Sequence, residues 1–258
     1  MPAILSTFIR TERTLLAGRA ERYIGMSTNV TIKDQVEQDK EHLSSCSYHD
    51  LLTWADAHGI NNRSAWGKYK VALNDIDVDF NSLRNVSRSA KRAELAESAT
   101  HRLLLYSDAK ASMDRFGICG PDREPVWYGK FFDNDKDYNG EQSSGELAAA
   151  KKSVWLAAKV AERLGGVIEL ELRVDAKWLC WANNLEDNRG GKAHLLAQAA
   201  QLHGVALDVT HISGRENPAD KWTVARGYLP WQDTIDRLSE QVKGIEIRDE
   251  KGDVQRDK

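Results

Sequence analysis

The sequence predicts an α/β domain built around a five-stranded mixed sheet flanked by helices, with a helical extension before it. Two features of the chain support this prediction. Residues 1 to about 42 are weakly patterned, and from Ser45 to about residue 99 the pattern is helical. From about residue 100, short segments typical of strands are separated by helical segments, in the order βββαβα(α)βα.

Each element after residue 100 has a local signal. The first strand is a run of leucines and Tyr106 that leads into Asp108, and the fourth alternates apolar and polar residues strictly. Glycines close two helices, at Gly165 and Gly204. Predicted strands lie at 103–107, 116–120, 125–132, 167–174 and 205–212, and predicted helices at 146–164, 176–183, 193–203 and from Pro218.

These patterns divide the chain into three parts. Residues 1–99 are predicted to be a helical extension or the end of a polymerase region, with helices near 47–59, 66–73 and 80–95. Residues 100–227 form the α/β domain. Residues 228–258 are predicted to be a charged C-terminal tail.

Composition narrows the class of protein. A 41% hydrophobic and 29% charged chain is typical of a folded globular protein, and a net charge of −3 gives no general basic signature for nucleic acid. The three cysteines have no zinc-binding spacing, and an odd count fits a reducing compartment. No apolar run suits a signal peptide or a membrane span, so we expect a cytoplasmic or nuclear protein with no membrane partner.

Four acids stand at positions that suggest a shared site: Asp108, Glu146, Asp175 and Asp220. Asp108 and Asp175 follow strands predicted to be neighbours, and Glu146 and Asp220 are expected in the first turns of two helices. Clustered carboxylates repel one another unless cations are bound between them. Carboxylate oxygens without His or Cys are ligands that Mg²⁺ prefers, and two such ions promote phosphodiester hydrolysis.

Each acid alone also has a purely structural explanation. An acid at a helix start, such as Glu146, is favoured by the helix dipole, and Asp108 alone is an ordinary strand-end residue. Only the set of four, in this order, indicates a metal-dependent nuclease.

The four acids lie in motifs that resemble those of a ribonuclease H domain, of the kind fused to reverse transcriptases in gypsy-like and DIRS-like retroelements. The motifs are Tyr106-Ser-Asp108-Ala, Gly145-Glu146-Leu147-Ala, Arg173-Val-Asp175-Ala and His211-Ile-Ser-Gly-Arg-Glu-Asn217-Pro-Ala-Asp220. The resemblance covers about half of the chain. It implies a five-stranded ribonuclease H fold, two Mg²⁺ ions (with Mn²⁺ as an alternative) held by the four acids, and cleavage of the RNA strand of an RNA/DNA hybrid.

The last motif departs from cellular ribonucleases H, because Gly214 is followed by Arg215 where those enzymes have a histidine. Arg215 and Asn217 are predicted to bind substrate, with an ion pair from Arg215 to Glu216 or Asp220 as the structural alternative. His211 is predicted to be a half-buried strand residue in preference to a proton-transfer group.

Two other functions remain open at this point. One is a non-catalytic nucleic-acid-binding domain that keeps the fold as a scaffold. The other is a DNA nuclease on the same fold, such as an integrase, transposase or junction resolvase. If the resemblance holds, an expected partner is a polymerase domain upstream in the same polyprotein, because residues 1–99 contain no paired-acid polymerase motif.

Overall fold

A mixed β-sheet organises the larger part of the chain. The computed structural model describes residues 30–132, 135–185 and 191–244. Within them the strand order is β3-β2-β1-β4-β5, and a short β6 pairs with the first residues of β1. The strands are β1 (His101–Lys110), β2 (Arg115–Cys119), β3 (Pro125–Lys130), β4 (Ile168–Val174), β5 (Ala206–His211) and β6 (Lys243–Gly244).

The direction of each strand agrees with the predicted order of elements. β1, β2 and β3 are antiparallel neighbours, whereas β4 runs parallel to β1 and β5 runs parallel to β4. The parallel pairs require helical crossovers, which the chain supplies between β3 and β5. The predicted fold class, a ribonuclease H-like mixed sheet flanked by helices, is confirmed.

Helices bury one face of the sheet. They are α6 (Gln142–Leu164) and α7 (Ala193–Leu202), and a 3₁₀ segment at Lys177–Asn183 lies between them in the chain. In β4, alternate residues from Ile168 to Val174 point into this core and the intervening ones are half-buried. Three consecutive buried alanines at 148–150 show that α6 is enclosed on more than one side there, and the small side chains allow close packing; larger buried residues such as Val154 and Leu156 follow.

The N-terminal helices form a compact unit of their own. They are α1 (Ile32–Gln38), α2 (Lys40–Leu43), α3 (Tyr48–Ala57), α4 (Arg63–Asp75) and the start of α5 (Phe80–Glu97). Capping boxes at Thr31 and Ser47 define the starts of α1 and α3. The boundary between the two units lies at Arg84, inside α5, and not at residue 99 as predicted.

Two other boundaries differ from those predicted. α6 begins at Gln142, so Glu146 lies in the second turn of the helix and not in the first. Residues 228–244 are not a separate tail, because α9 (Ile235–Glu240) places the fully buried Leu238 in the main core and β6 extends the sheet. Residues 245–258 of the predicted tail lie outside the described residues.

Among the helices that the structure describes, none is both long and apolar enough to span a membrane.

Candidate active site

Asp108 lies near the end of the central strand, inside β1 and not after it. It is opposite Gly117 of β2, and only 8% of its surface is exposed. The backbone N–H of Ala109 donates to its Oδ1 at 2.7 Å. The pKa of this carboxyl is raised to about 7, and burial is the largest cause, because the charged form loses its hydration.

The other three acids act on the same carboxyl. After burial, the charge of Asp175 is the largest factor that raises the pKa of Asp108, and the charges of Asp220 and Glu146 raise it further. Asp175 follows β4, the parallel neighbour of β1, while Asp220 begins the short helix α8 (Asp220–Thr223). Four acids that are far apart in sequence thus contribute to one local field of negative charge.

Glu146 is held by two side chains from different elements. Trp178 Nε1 donates to its Oε2 at 2.8 Å, and Gln142 Nε2 donates to its Oε1 at 3.1 Å. Gln142 also donates to the carbonyl of Ala109 at 2.7 Å, and its own carbonyl accepts from the N–H of Ala111 at 3.1 Å. Gln142 therefore fixes the start of α6 to the end of β1, next to Asp108.

Asn217 connects the strand of Asp108 to the helix of Asp220. It is 4% exposed, and its Nδ2 donates to the carbonyl of Ser107 at 3.0 Å while its Oδ1 accepts from the N–H of Ala219 at 3.1 Å. This geometry gives Asn217 a positioning role, because its amide is buried and bonded to the protein, and its predicted substrate contact stays a prediction.

Glycines allow two close approaches in the site. A Cβ on Gly117 would lie 2.7 Å from the carbonyl oxygen of Ala219 and 2.9 Å from the Cβ of Trp222, so α8 packs directly on the backbone of β2. A Cβ on Gly214 would lie 3.2 Å from Oδ2 of Asp175. The backbone of the fourth motif therefore passes close to the carboxylate of the third.

An open groove adjoins the acids on the side of Asp220. Its cavity volume is about 360 Å³, and its lining residues are Arg123, Glu124, Gly214, Arg215, Asn217, Pro218, Asp220 and Lys221. Within the described part of the chain, Arg215 forms no ion pair with Glu216 or Asp220, and Glu216 accepts from the hydroxyl of Ser213. His211 is exposed, so its prediction as a half-buried residue is wrong.

Comparison with known proteins adds little to this geometry. No family model matches the chain, and no curated protein matches it. Among solved structures, the chain is similar to the crystal structure of RNase H1 from the halophilic archaeon Halobacterium salinarum NRC-1. The identity is 18% and the TM-score is 0.30, over 47% of this chain and 93% of that chain. This similarity is too low to support an argument about function.

The donor atoms of the four acids suit a hard cation, since all of them are carboxylate oxygens. Their mutual repulsion at Asp108 is the electrostatic condition that a bound cation would relieve. Even so, no three His, Cys, Asp or Glu side chains among the described residues are grouped closely enough to hold a metal ion. Metal binding by the four acids therefore stays a prediction.

Sequence patterns alone missed three contributors to the site. Gln142 falls in the predicted loop, although its spacing of four from Glu146 is that of neighbours on one helix face. Trp178 is a typical core residue by sequence, yet its indole N–H is bonded to Glu146. Arg123 has no sequence signal at all, because it reaches the groove from the turn between β2 and β3.

Proposed function

We propose that this chain is a metal-dependent endonuclease that cleaves the RNA strand of RNA/DNA hybrids, as the ribonuclease H part of a retroelement reverse transcriptase. One observation carries the proposal. The buried Asp108 carboxyl has a pKa raised to about 7, and Asp175, Asp220 and Glu146 all contribute to that rise. These are the four acids of the four ribonuclease H-like motifs, and perturbed carboxyls of this kind are concentrated at functional sites.

In this proposal, Asp108, Glu146, Asp175 and Asp220 hold two Mg²⁺ or Mn²⁺ ions. When bound, such ions supply the activation of a water molecule and the stabilisation of the leaving oxygen of a phosphodiester. The chain itself supplies a buried setting for Asp108, which strengthens the interaction of its carboxylate with any cation.

The neighbouring residues orient the acids. Trp178 and Gln142 restrict the carboxylate of Glu146, and Asn217 fixes the start of α8, and therefore Asp220, relative to β1. Because catalytic groups must be held within a fraction of an ångström of their working positions, these hydrogen bonds are part of the proposed machinery.

A panel of substrates tests the proposal. The purified full chain is incubated with labelled RNA/DNA hybrid, double-stranded RNA, single-stranded RNA and double-stranded DNA, each with Mg²⁺ and with EDTA. We expect cleavage of the RNA strand of the hybrid, with Mg²⁺ only. Cleavage of duplex DNA in preference to the hybrid would reject the proposal in favour of a DNA nuclease or integrase on the same fold.

A non-catalytic nucleic-acid-binding scaffold is the second candidate function. It is favoured by one observation, namely that both carboxylate oxygens of Glu146 accept hydrogen bonds from protein donors, Trp178 and Gln142. This candidate predicts that the hybrid is bound but not cut, with either metal. The proposed polymerase partner has a separate test, which is whether a polymerase reading frame lies directly upstream of the coding sequence.

A further inference from the structure

The groove beside Asp220 is lined mainly by charged residues. Three of its lining residues carry positive charge, namely Arg123, Arg215 and Lys221, and two carry negative charge, namely Glu124 and Asp220. Asp220 also belongs to the field of the four acids. The remaining lining therefore has an excess of positive charge, although the chain as a whole has a net charge of −3.

The three cations of the groove are free of direct ion pairs in the described part of the chain, although Glu124 and Asp220 line the same groove. Within the described residues, none of the three forms an ion pair, whereas surface cations elsewhere do, as in Arg102–Glu169 and Lys152–Asp135. All three are exposed. Unpaired arginines and lysines that converge on one concave surface are the usual arrangement for binding a phosphate.

The backbone conformation of Arg123 and two contacts of its guanidinium group restrict the position of this side chain. Its backbone is in the left-handed region, with φ of 67°, which is uncommon for a residue other than glycine. One guanidinium nitrogen donates to the carbonyl of Glu216 at 2.6 Å, and the guanidinium carbon lies 5.4 Å from the centre of the Tyr106 ring. These contacts account for only part of its five N–H donors, so Arg123 is a preoriented anion ligand.

We infer that Arg123, Arg215 and Lys221 together bind a phosphate of the RNA strand, beside the phosphodiester that is cut at the four acids. This inference rests on the proposed function and adds a subsite to it. Asp220 and Lys221 line the same groove, so a phosphate next to the phosphodiester at Asp220 would lie within reach of the positive side chains of the groove. Such a contact carries no sequence information, but it fixes the register of the strand.

Binding measured without cleavage tests the inference. Fluorescence anisotropy in EDTA gives the Kd of a labelled RNA/DNA hybrid for the wild-type chain, Arg123→Ala and Lys221→Gln over a series of salt concentrations. Lys33→Ala is the control, because Lys33 pairs with Asp75 in the N-terminal unit. Lys221→Gln is the second variant in case Arg123→Ala fails to fold, since Lys221 is exposed and its removal leaves the backbone contacts intact.

We expect each groove variant to weaken binding about tenfold, as for one lost charge-assisted hydrogen bond. The slope of log Kd against log salt should also fall by about one for each lost phosphate contact, whereas Lys33→Ala should match the wild type. An unchanged Kd and salt slope in both groove variants would overturn the inference.

Hybrids with a single uncharged methylphosphonate linkage, placed in either the RNA or the DNA strand, show which strand supplies the phosphate that the groove binds. One linkage in the RNA strand should reproduce the loss, and Lys221→Gln should have no further effect on that hybrid. If the sensitive linkage lies in the DNA strand, the inference is overturned. If the wild type cuts hybrids and the groove variants bind them with wild-type affinity, the phosphate site is rejected and the nuclease function is kept. If the wild type never cuts hybrids but the groove variants bind them more weakly, the nuclease function is rejected and the phosphate site is kept.

Discussion

Asn217 donates a hydrogen bond from its buried amide to the carbonyl of Ser107, the residue before Asp108, at 3.0 Å. The same amide accepts from the N–H of Ala219, the residue before Asp220. A single side chain therefore spans the first and fourth motifs, which are far apart in sequence, and sets the separation of the two acids that follow them.

Replacing Asn217 should impair both folding and catalysis. Asn217→Ala removes two hydrogen bonds at a buried position, to the carbonyl of Ser107 and from the N–H of Ala219, which costs about 1–3 kcal/mol of the free energy of unfolding. We expect cleavage to lose kcat with little change in KM, because the buried amide is bonded to the protein through both its nitrogen and its oxygen. Urea unfolding and steady-state kinetics measure the two effects. A variant with a raised KM and normal kcat would restore the substrate-contact role.

Asp108→Asn should stabilise the metal-free protein in a pH-dependent way. Folding raises the pKa of Asp108 from 3.8 to about 7, so its contribution to stability is fully present below 3.8 and is lost as the pH rises through about 7. Asn keeps the shape and the acceptor for the N–H of Ala109 but never ionises. We expect its advantage to grow between these two pH values and then stay constant at about 4 kcal/mol, because each unit of pKa difference corresponds to about 1.4 kcal/mol.

Unfolding of both proteins in EDTA at several pH values measures this effect. An advantage that is the same at pH 4 and pH 8 would show that repulsion and burial at Asp108 are not its cause.

Trp178→Phe should weaken the response to metal. The change keeps one aromatic ring but removes the N–H that donates to Glu146, together with part of the ring volume, a loss that the control variant shares. Loss of a partner that orients a metal-binding carboxylate typically costs about tenfold or more in metal affinity or activity. We therefore expect a higher Mg²⁺ concentration for half-maximal cleavage, with Trp66→Phe in the N-terminal unit as the control. An unchanged Mg²⁺ dependence would mean that Trp178 is only a packing residue.

Gly117→Ala should separate α8 from the sheet. The new methyl group would lie 2.7 Å from a backbone oxygen, which cannot move aside as a flexible side chain can. Overpacking of this kind costs about 1–3 kcal/mol, and it should also displace Asp220 and reduce cleavage. Gly67→Ala is a matched control inside α4, where nothing lies within 4 Å, and alanine there should be neutral or stabilising. Equal unfolding midpoints for the two variants would contradict the close approach.

The sequence predicts those parts of the molecule that depend on local pattern. The alternation in β4 and the apolar run in β1 define the strands, and their parallel pairing explains why Asp108 and Asp175 were expected together. The start of α6 was missed because Gln142 to Ser144 are polar, and their helical state depends on contacts with β1 and Glu141. α9 was missed because it is six residues long and buries only Leu238.

The contacts that build the site are harder to predict from sequence. Asn217 and Ser107 are 110 positions apart, and Trp178 and Glu146 are 32 apart. No periodicity relates such pairs, since each contact exists only after the sheet has formed. The same holds for Arg123, which lies in the turn between β2 and β3 and donates to the carbonyl of Glu216 in the loop of the fourth motif.

Single-turnover cleavage of an RNA/DNA hybrid by five proteins tests the central claim most directly. They are the wild type, Asp108→Asn, Glu146→Gln, Asp175→Asn and Asp220→Asn, each assayed with Mg²⁺ and with EDTA. The account predicts that the wild type cuts the RNA strand with Mg²⁺ only. It also predicts that each variant, folded by circular dichroism, is at least about a hundredfold slower. Cleavage by the wild-type protein in EDTA would contradict the account. So would cleavage by Asp108→Asn at the wild-type rate.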